Sequence, residues 1–240
     1  MPELIDRLPF EAQVLSSGEI QISDRTFTAS EIVSGLEAFL TDERKSRISQ
    51  VIDHRTLNVA TVVEHLYDVG NISAVMRSAE SFGFLPFHII ERPGAKYKIS
   101  DRISKGTEKW LDIHKYKETE KCFLDLKKSG YQIYASDLSA TCALHEIPVQ
   151  NKVAIVFGNE KEGISDVAKK MADGTFIIPM HGFAQSFNIS VAAAISFSAI
   201  HQKRLTAGFA GDMSGEEKLR LRASYYLRTL DSAADILLKR

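Results

Sequence analysis

The chain has 240 residues, 44% of them hydrophobic, and its 30 Lys and Arg nearly balance its 31 Asp and Glu to a net charge of -1. This length suits one domain, or one domain with an appendage, and it allows a buried core. Because the net charge is close to zero, the protein as a whole does not attract nucleic acid electrostatically. Any such attraction needs local basic patches. With two cysteines, no metal-ligand spacing, and no apolar run suited to a membrane span or secretory signal, we expect a cytoplasmic protein without a bound metal.

The first part of the chain differs in pattern from the rest. Residues 18–27 alternate weakly, as in a short strand or hairpin, and residues 28–40 have a helical pattern with Ser30 as a candidate cap. A basic amphipathic helix is predicted over residues 41–52. At the other end, a single long helix is predicted near residues 214–238.

Between these ends, strands and helices alternate, which predicts an α/β fold with a parallel sheet covered by helices on both faces. The predicted strands are about residues 59–65, 87–91, 131–136, 153–157 and 175–179, and the predicted helices are about residues 71–83, 118–130, 163–172 and 187–205. We therefore expect three parts: an N-terminal appendage 1–40, an α/β domain 41–208 and a C-terminal helical extension 209–240. The usual glycine-rich phosphate and dinucleotide fingerprints do not occur in the sequence.

The first polar motif is Asn71-Ile-Ser-Ala-Val-Met-Arg77, at the start of a predicted helix. Asn71 could cap this helix and Arg77 could pair with Glu80 one turn later, which suffices to explain either residue alone. Alternatively, Asn71 positions a ligand, and the forked donors of Arg77 bind a phosphate or a ribose.

The second motif follows Val153–Phe157, a continuous apolar run typical of a strand buried on both faces. Gly158 would allow the backbone to approach a ligand, and Asn159 could cap the next helix. Glu160 would complement the positive end of that helix. Capping explains Asn159 fully but Glu160 only in part, so Glu160 is a candidate site residue.

The third motif begins with the predicted strand Phe176–Met180, which must end near Pro179 because proline cannot donate to a strand ladder. A loop then leads into Ser186-Phe-Asn188 and a helix rich in small residues. Such a helix could simply be closely packed in a core. Small residues also let two backbone segments approach closely, as they must where a chain passes through a loop of its own backbone. Ordinary folds avoid such threading.

Together, N-x-x-x-x-x-R, F-G-N-E-x-x-G and I-P-M-x-G-x-x-x-S-x-N-x-S-V-A resemble the three motifs of the SPOUT superfamily of RNA methyltransferases, in its TrmH branch of ribose 2'-O-methyltransferases. The likeness covers about residues 41–205, in the same order. Segments Gly106–Trp110 and Arg55–Glu64 are similar to the tRNA guanosine 2'-O-methyltransferases that modify the D-loop. Methylation of ribosomal RNA or another tRNA loop, and a catalytically silent RNA-binding relative, remain alternatives.

The resemblance implies a deep C-terminal trefoil knot in which S-adenosylmethionine binds in a bent form. The cofactor-binding residues it implies are Ser136, Phe157, Gly158, Asn159, Ile178, Met180 and Phe187. The catalytic residues it implies are Asn71, Arg77, Glu160, Ser186 and Asn188. The resemblance also implies a homodimer, in which Arg77 of one subunit faces the cofactor of the other and either activates the ribose hydroxyl or fixes phosphate and ribose.

Basic residues near the predicted site are candidates for RNA contact. They are Arg44, Arg47, Arg55, Lys98, Arg102, Lys105 and Lys109. Each one alone is better explained as part of a solvated surface. As a set around a methyltransferase site they favour RNA, and we expect tRNA to be the partner.

Overall fold

The computed structural model describes residues 12–14, 19–94, 106–140 and 142–239. The chain forms two compact units, one from Met1–Arg55 together with Gly211–Arg240, and the other from Thr56–Ala210. The predicted boundary after residue 40 therefore falls inside the first unit. The basic helix that was assigned to the α/β domain belongs with the two ends of the chain.

In the first unit, the described strands form an antiparallel sheet in the order β1 (Ala12–Val14), β2 (Ile20–Ile22) and β3 (Arg25–Phe27). Helices α1 (Ala29–Leu36) and α2 (Asp42–Asp53) follow. The cap of α1 is Thr28 and not Ser30 as predicted. The Thr28 hydroxyl accepts from the Glu31 amide at 3.2 Å, while the Glu31 carboxylate accepts from the Thr28 amide at 2.7 Å. This reciprocal pair satisfies two amides that would otherwise have no helical partner.

The second unit confirms the predicted parallel sheet. Its described strands are β4 (Val59–Glu64), β5 (Pro86–Ile90), β6 (Asp112–Tyr116), β7 (Gln132–Ser136), β8 (Cys142–Ala143), β9 (Val153–Phe157) and β10 (Gly174–Ile177). Within the described residues they pair in parallel in the order β6-β5-β4-β9-β7-β10-β8. Strands β6 and β8, at the two edges of this sheet, were not predicted.

Helices cover both faces of this sheet, as predicted. They are α3 (Val69–Ser81), α4 (Thr119–Lys128), α5 (Asp166–Met171) and α6 (Ile189–Thr206). Val59 and Val63 of β4 belong to one buried cluster with residues of α3 and α6, whereas Ala60 and Val62 belong to another with residues of α4 and α5. Because side chains of a strand alternate between faces, one apolar strand supplies both clusters.

Two helices begin at positions that differ from the prediction. Helix α3 is capped by Asp68, whose carboxylate accepts from the Gly70 amide at 2.7 Å, so Asn71 lies inside the first turn and is not the cap. Helix α5 is capped by Ser165, so Asn159 does not cap it. The side chains of Asn71 and Asn159 are therefore available for other contacts.

The C-terminal segment forms two helices, α7 (Gly215–Thr229) and α8 (Ala233–Leu238), where one was predicted. Helix α7 packs against α1 and α2 within the first unit. Arg55 is only 1% exposed there, and its Nε donates to the hydroxyl of Tyr225 at 3.1 Å. The prediction that Arg55 contacts RNA is therefore wrong, because its guanidinium is used inside this unit.

Across the described residues, every helix is too short or too polar to cross a membrane. The trefoil knot implied by the family resemblance concerns how the chain is threaded rather than which strands are neighbours, and it stays a prediction.

Candidate active site

A cleft of about 470 Å³ opens at the carboxyl ends of β7, β9 and β10. Its walls come from the loop after β7, the turn after β9, and the segment between β10 and the first turns of α6. Ligands of parallel α/β sheets bind at this edge, where strand ends and following loops converge. The lining includes Ser136, Asp137, Leu138, Gly158, Asn159, Glu160, Lys161, Lys169, Ile178, Met180, Ser186, Phe187, Asn188 and Ala192.

Most of the predicted cofactor-binding residues line this cleft: Ser136, Gly158, Asn159, Ile178, Met180 and Phe187. Phe157 does not line it. Its side chain is fully buried, with its ring edge-on to Phe176 and Phe197 at centroid distances of 6.5 and 5.7 Å. The prediction for Phe157 is therefore corrected: it supports the wall from behind.

The turn after β9 is tight and requires glycine at position 158. The Asn159 amide donates to the Gly163 carbonyl at 2.8 Å, and the Gly163 amide donates back at 2.9 Å. A Cβ on Gly158 would lie 2.4 Å from the Gly163 carbonyl carbon, so only glycine fits there. Inside the turn, the Asn159 side-chain oxygen accepts from the amides of Lys161 and Glu162 at 2.8 and 3.1 Å.

Asn159 also joins this turn to the neighbouring strand. Its side-chain amide donates to the carbonyl of His65, just after β4, at 2.7 Å. Because the same side chain accepts inside the turn, one Asn fixes both the shape of the turn and its position. The predicted site residue is thus present in the cleft, but its described contacts are to the protein itself.

A second set of hydrogen bonds joins all three motifs at the cleft. Glu160 accepts from the side-chain amide of Asn71 at 2.9 Å and from the backbone amide of Tyr67 at 3.0 Å. The side-chain amide of Asn188 donates to the Asn71 oxygen at 3.3 Å. Asn188 is itself fixed as the cap of α6, since its oxygen accepts from the Ser190 amide at 2.9 Å. We call the three side chains of Asn71, Glu160 and Asn188 the motif network.

The electrostatics of Glu160 favour its charged form. Partial burial alone would raise the pKa of its carboxyl group, but the hydrogen bonds from the Tyr67 amide and the Asn71 side chain outweigh that effect. The pKa of Glu160 therefore lies below its ordinary value. As a carboxylate it can only accept, which fixes Asn71 with its amide group toward Glu160.

The remaining predicted residues are more dispersed. Ser186 lines the cleft, but Arg77 is exposed on α3 and, among the described residues, is not part of the lining. Arg44 and Arg47 are exposed on α2 of the first unit, and Lys109 is exposed beside the Trp110 ring at 5.2 Å. Lys98, Arg102 and Lys105 lie outside the described residues.

Sequence reasoning missed several charged residues of the cleft, among them Asp137 and Lys169. Their side chains pair at 2.9 Å. Burial raises the pKa of Asp137, but hydrogen bonds from Lys169 and Ser139 outweigh this and lower it overall. Asp137 directly follows β7, so the rule that sites gather at the carboxyl ends of parallel strands could have found it.

The sequence of the second unit matches a known protein family. The model of the SpoU rRNA Methylase family matches residues 58–198, all of which lie within the second unit. The chain belongs to this family.

The chain is also similar to individual proteins that are named as tRNA methyltransferases. The chain is 35% identical over 192 residues to the tRNA (guanosine(18)-2'-O)-methyltransferase of Borreliella burgdorferi, across 80% of this chain and 88% of that protein. It is 32% identical over 169 residues to the protein of the same name from Thermus thermophilus, across 70% and 87% of the two chains. Among solved structures, the A. aeolicus TrmH/SpoU tRNA modifying enzyme matches with a TM-score of 0.72 at 28% identity, covering 78% of this chain and 96% of that chain.

Proposed function

We propose that this protein is an S-adenosylmethionine-dependent methyltransferase that modifies the ribose 2'-oxygen of a guanosine in the D-loop of tRNA. It would act in the cytoplasm as a homodimer. The observation that carries the proposal is the meeting of three separate motifs at one cleft through the motif network. The choice of tRNA over ribosomal RNA rests on the names of relatives that match most of this chain.

The cleft has the chemistry that this cofactor needs. Ile178, Met180 and Phe187 supply an apolar wall for adenine, and the backbone around Gly158 can approach a ligand closely. Carboxylates at Asp137 and Glu160 line the same cleft, which suits ribose hydroxyls and a positively charged sulfur. When bound, S-adenosylmethionine supplies a methyl group on a sulfonium centre.

The side chains of the protein would mainly align the reacting groups. Glu160 holds the Asn71 amide, and Asn188 holds the Asn71 oxygen, so the orientation of Asn71 is fixed from both sides. Such alignment can supply a large part of a rate enhancement for a displacement between two bound groups. Arg77 would fix phosphate and ribose at the attacking hydroxyl, with guanidinium donors that suit both.

The position of Arg77 supports the homodimer. Its side chain is exposed, and it does not contribute to the described lining of the cleft in its own chain. We propose that Arg77 acts at the cleft of a second copy. Coexpression of Arg77→Ala and Glu160→Gln chains tests this, because each mixed dimer would have one intact site. If the chains pair at random, half of the dimers are mixed, so about a quarter of all sites should be active. No recovery in purified mixed dimers would contradict the exchange of Arg77.

The activity itself is tested by transfer of tritiated methyl groups to an unmodified tRNA transcript, followed by mapping of the methylated ribose. We expect transfer to a D-loop guanosine by the wild type and almost none by Arg77→Ala. Arg77→Lys is the matched variant, since it keeps the charge but loses the planar fork. Methyl transfer only to ribosomal RNA would favour a ribosomal RNA 2'-O-methyltransferase. RNA binding without methyl transfer would favour a catalytically silent relative.

A further inference from the structure

Tyr67 is an exposed aromatic residue beside the motif network. It lies between the end of β4 and the cap of α3, and 39% of it is exposed. Its backbone amide donates to Glu160 at 3.0 Å, so the main chain at this position is fixed to the network. Its ring is not needed for that hydrogen bond, which leaves the exposed ring without a role in the site described so far.

Two cations lie against this ring, and they come from two different loops. The guanidinium carbon of Arg92, which follows β5, is 4.3 Å from the ring centroid. The ammonium of Lys161, which follows Glu160 and lines the cleft, is 5.2 Å from it. Cations at these distances are attracted to the face of an aromatic ring. Loops after β4, β5 and β9 thus gather an aromatic ring and two positive charges at one place.

This combination suits a single-stranded nucleotide. Proteins that read RNA loops stack unpaired bases on aromatic or arginine side chains and bind the phosphates with cations. Tyr67 offers a ring surface, and Arg92 and Lys161 offer the charges.

We propose that Tyr67, Arg92 and Lys161 form a nucleotide platform, which binds a nucleotide of the substrate RNA next to the ribose that is methylated. The base stacks on the exposed part of the Tyr67 ring, and neighbouring phosphates contact Arg92 and Lys161. This inference rests on the proposed function, because it supplies that reaction with a contact that selects an unpaired nucleotide.

The first test replaces the ring and leaves the backbone bond in place. In Tyr67→Ala and Tyr67→Leu, we expect the dissociation constant for a tRNA transcript, measured by fluorescence anisotropy, to rise about tenfold, as for the loss of one stacked base. Tyr67→Phe keeps the stacking surface and should stay within about twofold of wild type. The affinity for S-adenosylmethionine, measured by calorimetry, should not change in any of the three.

The second test concerns the charges. Lys161→Gln and Arg92→Gln should each reduce the slope of log affinity for tRNA against log salt by about one, as expected for the loss of one phosphate contact. Lys127→Gln is the matched control. Lys127 lies at the end of α4 and pairs with Asp173 just before β10, near the amino ends of the strands, so its slope should equal that of wild type.

The outcomes separate this inference from the proposed function. If the wild type binds tRNA but transfers no methyl group, the proposed function fails, while the variants still decide the nucleotide platform. Unchanged tRNA affinity in Tyr67→Ala would overturn the platform, as would a parallel loss of S-adenosylmethionine affinity, which would make the ring structural. A wild type that binds no tRNA would overturn both.

Discussion

Two carboxylates at the ends of neighbouring strands illustrate how the protein uses the same chemistry in two ways. Glu64 is the last residue of β4, and Glu160 follows β9, which pairs with β4. Each accepts hydrogen bonds from a backbone amide and from at least one side chain. Glu64 is completely buried, however, whereas Glu160 is exposed at the mouth of the cleft.

The partners of Glu64 explain why it is buried. Its carboxylate accepts from the hydroxyls of Thr119 and Ser165 at 2.5 and 2.7 Å and from the Ser165 amide at 2.9 Å. Thr119 begins α4 and Ser165 caps α5, so one carboxylate joins both helix starts to β4. A buried polar group is tolerated when its hydrogen-bonding atoms are satisfied in this way. We infer that Glu64 serves stability, whereas the motif network around Glu160 serves the reaction.

The largest effect should come from Glu64→Ala. It removes the acceptor of the buried Thr119 hydroxyl and of the half-buried Ser165 hydroxyl and amide. Each unsatisfied buried group costs about 1–3 kcal/mol, so we expect a loss of about 4 kcal/mol in the free energy of unfolding. Urea denaturation measures this. Glu64→Gln is the control, because hydroxyls can also accept from its amide, and it should lose much less. Equal, small losses in both variants would contradict the role assigned to Glu64.

The next effect concerns activity rather than stability. Glu160→Gln points an amide group at either the Tyr67 amide or the Asn71 amide, where only acceptors fit. The misplaced Asn71 should lower the rate of methyl transfer about 100-fold, a cost typical of a small misalignment. Single-turnover assays measure the rate, and thermal unfolding should differ little from wild type. A stability loss like that of Glu64→Ala would remove the contrast between the two carboxylates.

A smaller effect is expected for Asn188→Ala. It removes the cap of α6 and the 3.3 Å hydrogen bond to Asn71. Loss of an N-cap costs about 1 kcal/mol, and we expect about tenfold slower methyl transfer because one of two fixed contacts of Asn71 is gone. Asn188→Asp keeps the cap but cannot donate to Asn71. It should therefore regain the stability and not the rate, and recovery of both would argue against the motif network.

The smallest effect is a dependence on pH. Because the pKa of Glu160 is lowered in the folded protein, its contribution to folding is fully present above its ordinary value of 4.5 and is lost as pH falls through the lower folded value. The difference in unfolding free energy between wild type and Glu160→Gln should therefore shrink below that pH. If the difference in unfolding free energy stayed constant at acidic pH, the charged form of Glu160 would not be favoured by the fold.

The prediction of the fold succeeded where the pattern was local. Apolar runs such as Val153–Phe157 identify buried strands without any knowledge of their neighbours. Strand β6 was missed because Asp112-Ile-His-Lys-Tyr116 carries polar side chains at an edge of the described sheet. The start of α3 was placed too late because Val69 and Gly70 are weak helix formers that follow the true cap.

The sequence identified the residues of the site but not the hydrogen bonds between them. The motifs identified Asn71, Glu160 and Asn188, yet their hydrogen bonds join positions 89 and 117 residues apart, which no local pattern reveals. Arg55 was misassigned for the same reason. Its partner Tyr225 lies 170 residues away, and a basic residue beside a basic helix gives no sign of a buried partner.

The proposed function requires that the cleft beside Glu160 binds S-adenosylmethionine. Titration calorimetry of S-adenosylmethionine against wild type, Phe187→Asp and Phe183→Asp tests it most directly, because Phe187 lines the cleft while Phe183, exposed in the same segment, does not appear in its described lining. We predict binding by wild type and Phe183→Asp and loss of binding by Phe187→Asp. Undiminished binding by Phe187→Asp, or no binding by wild type, would show that this cleft is not the cofactor site.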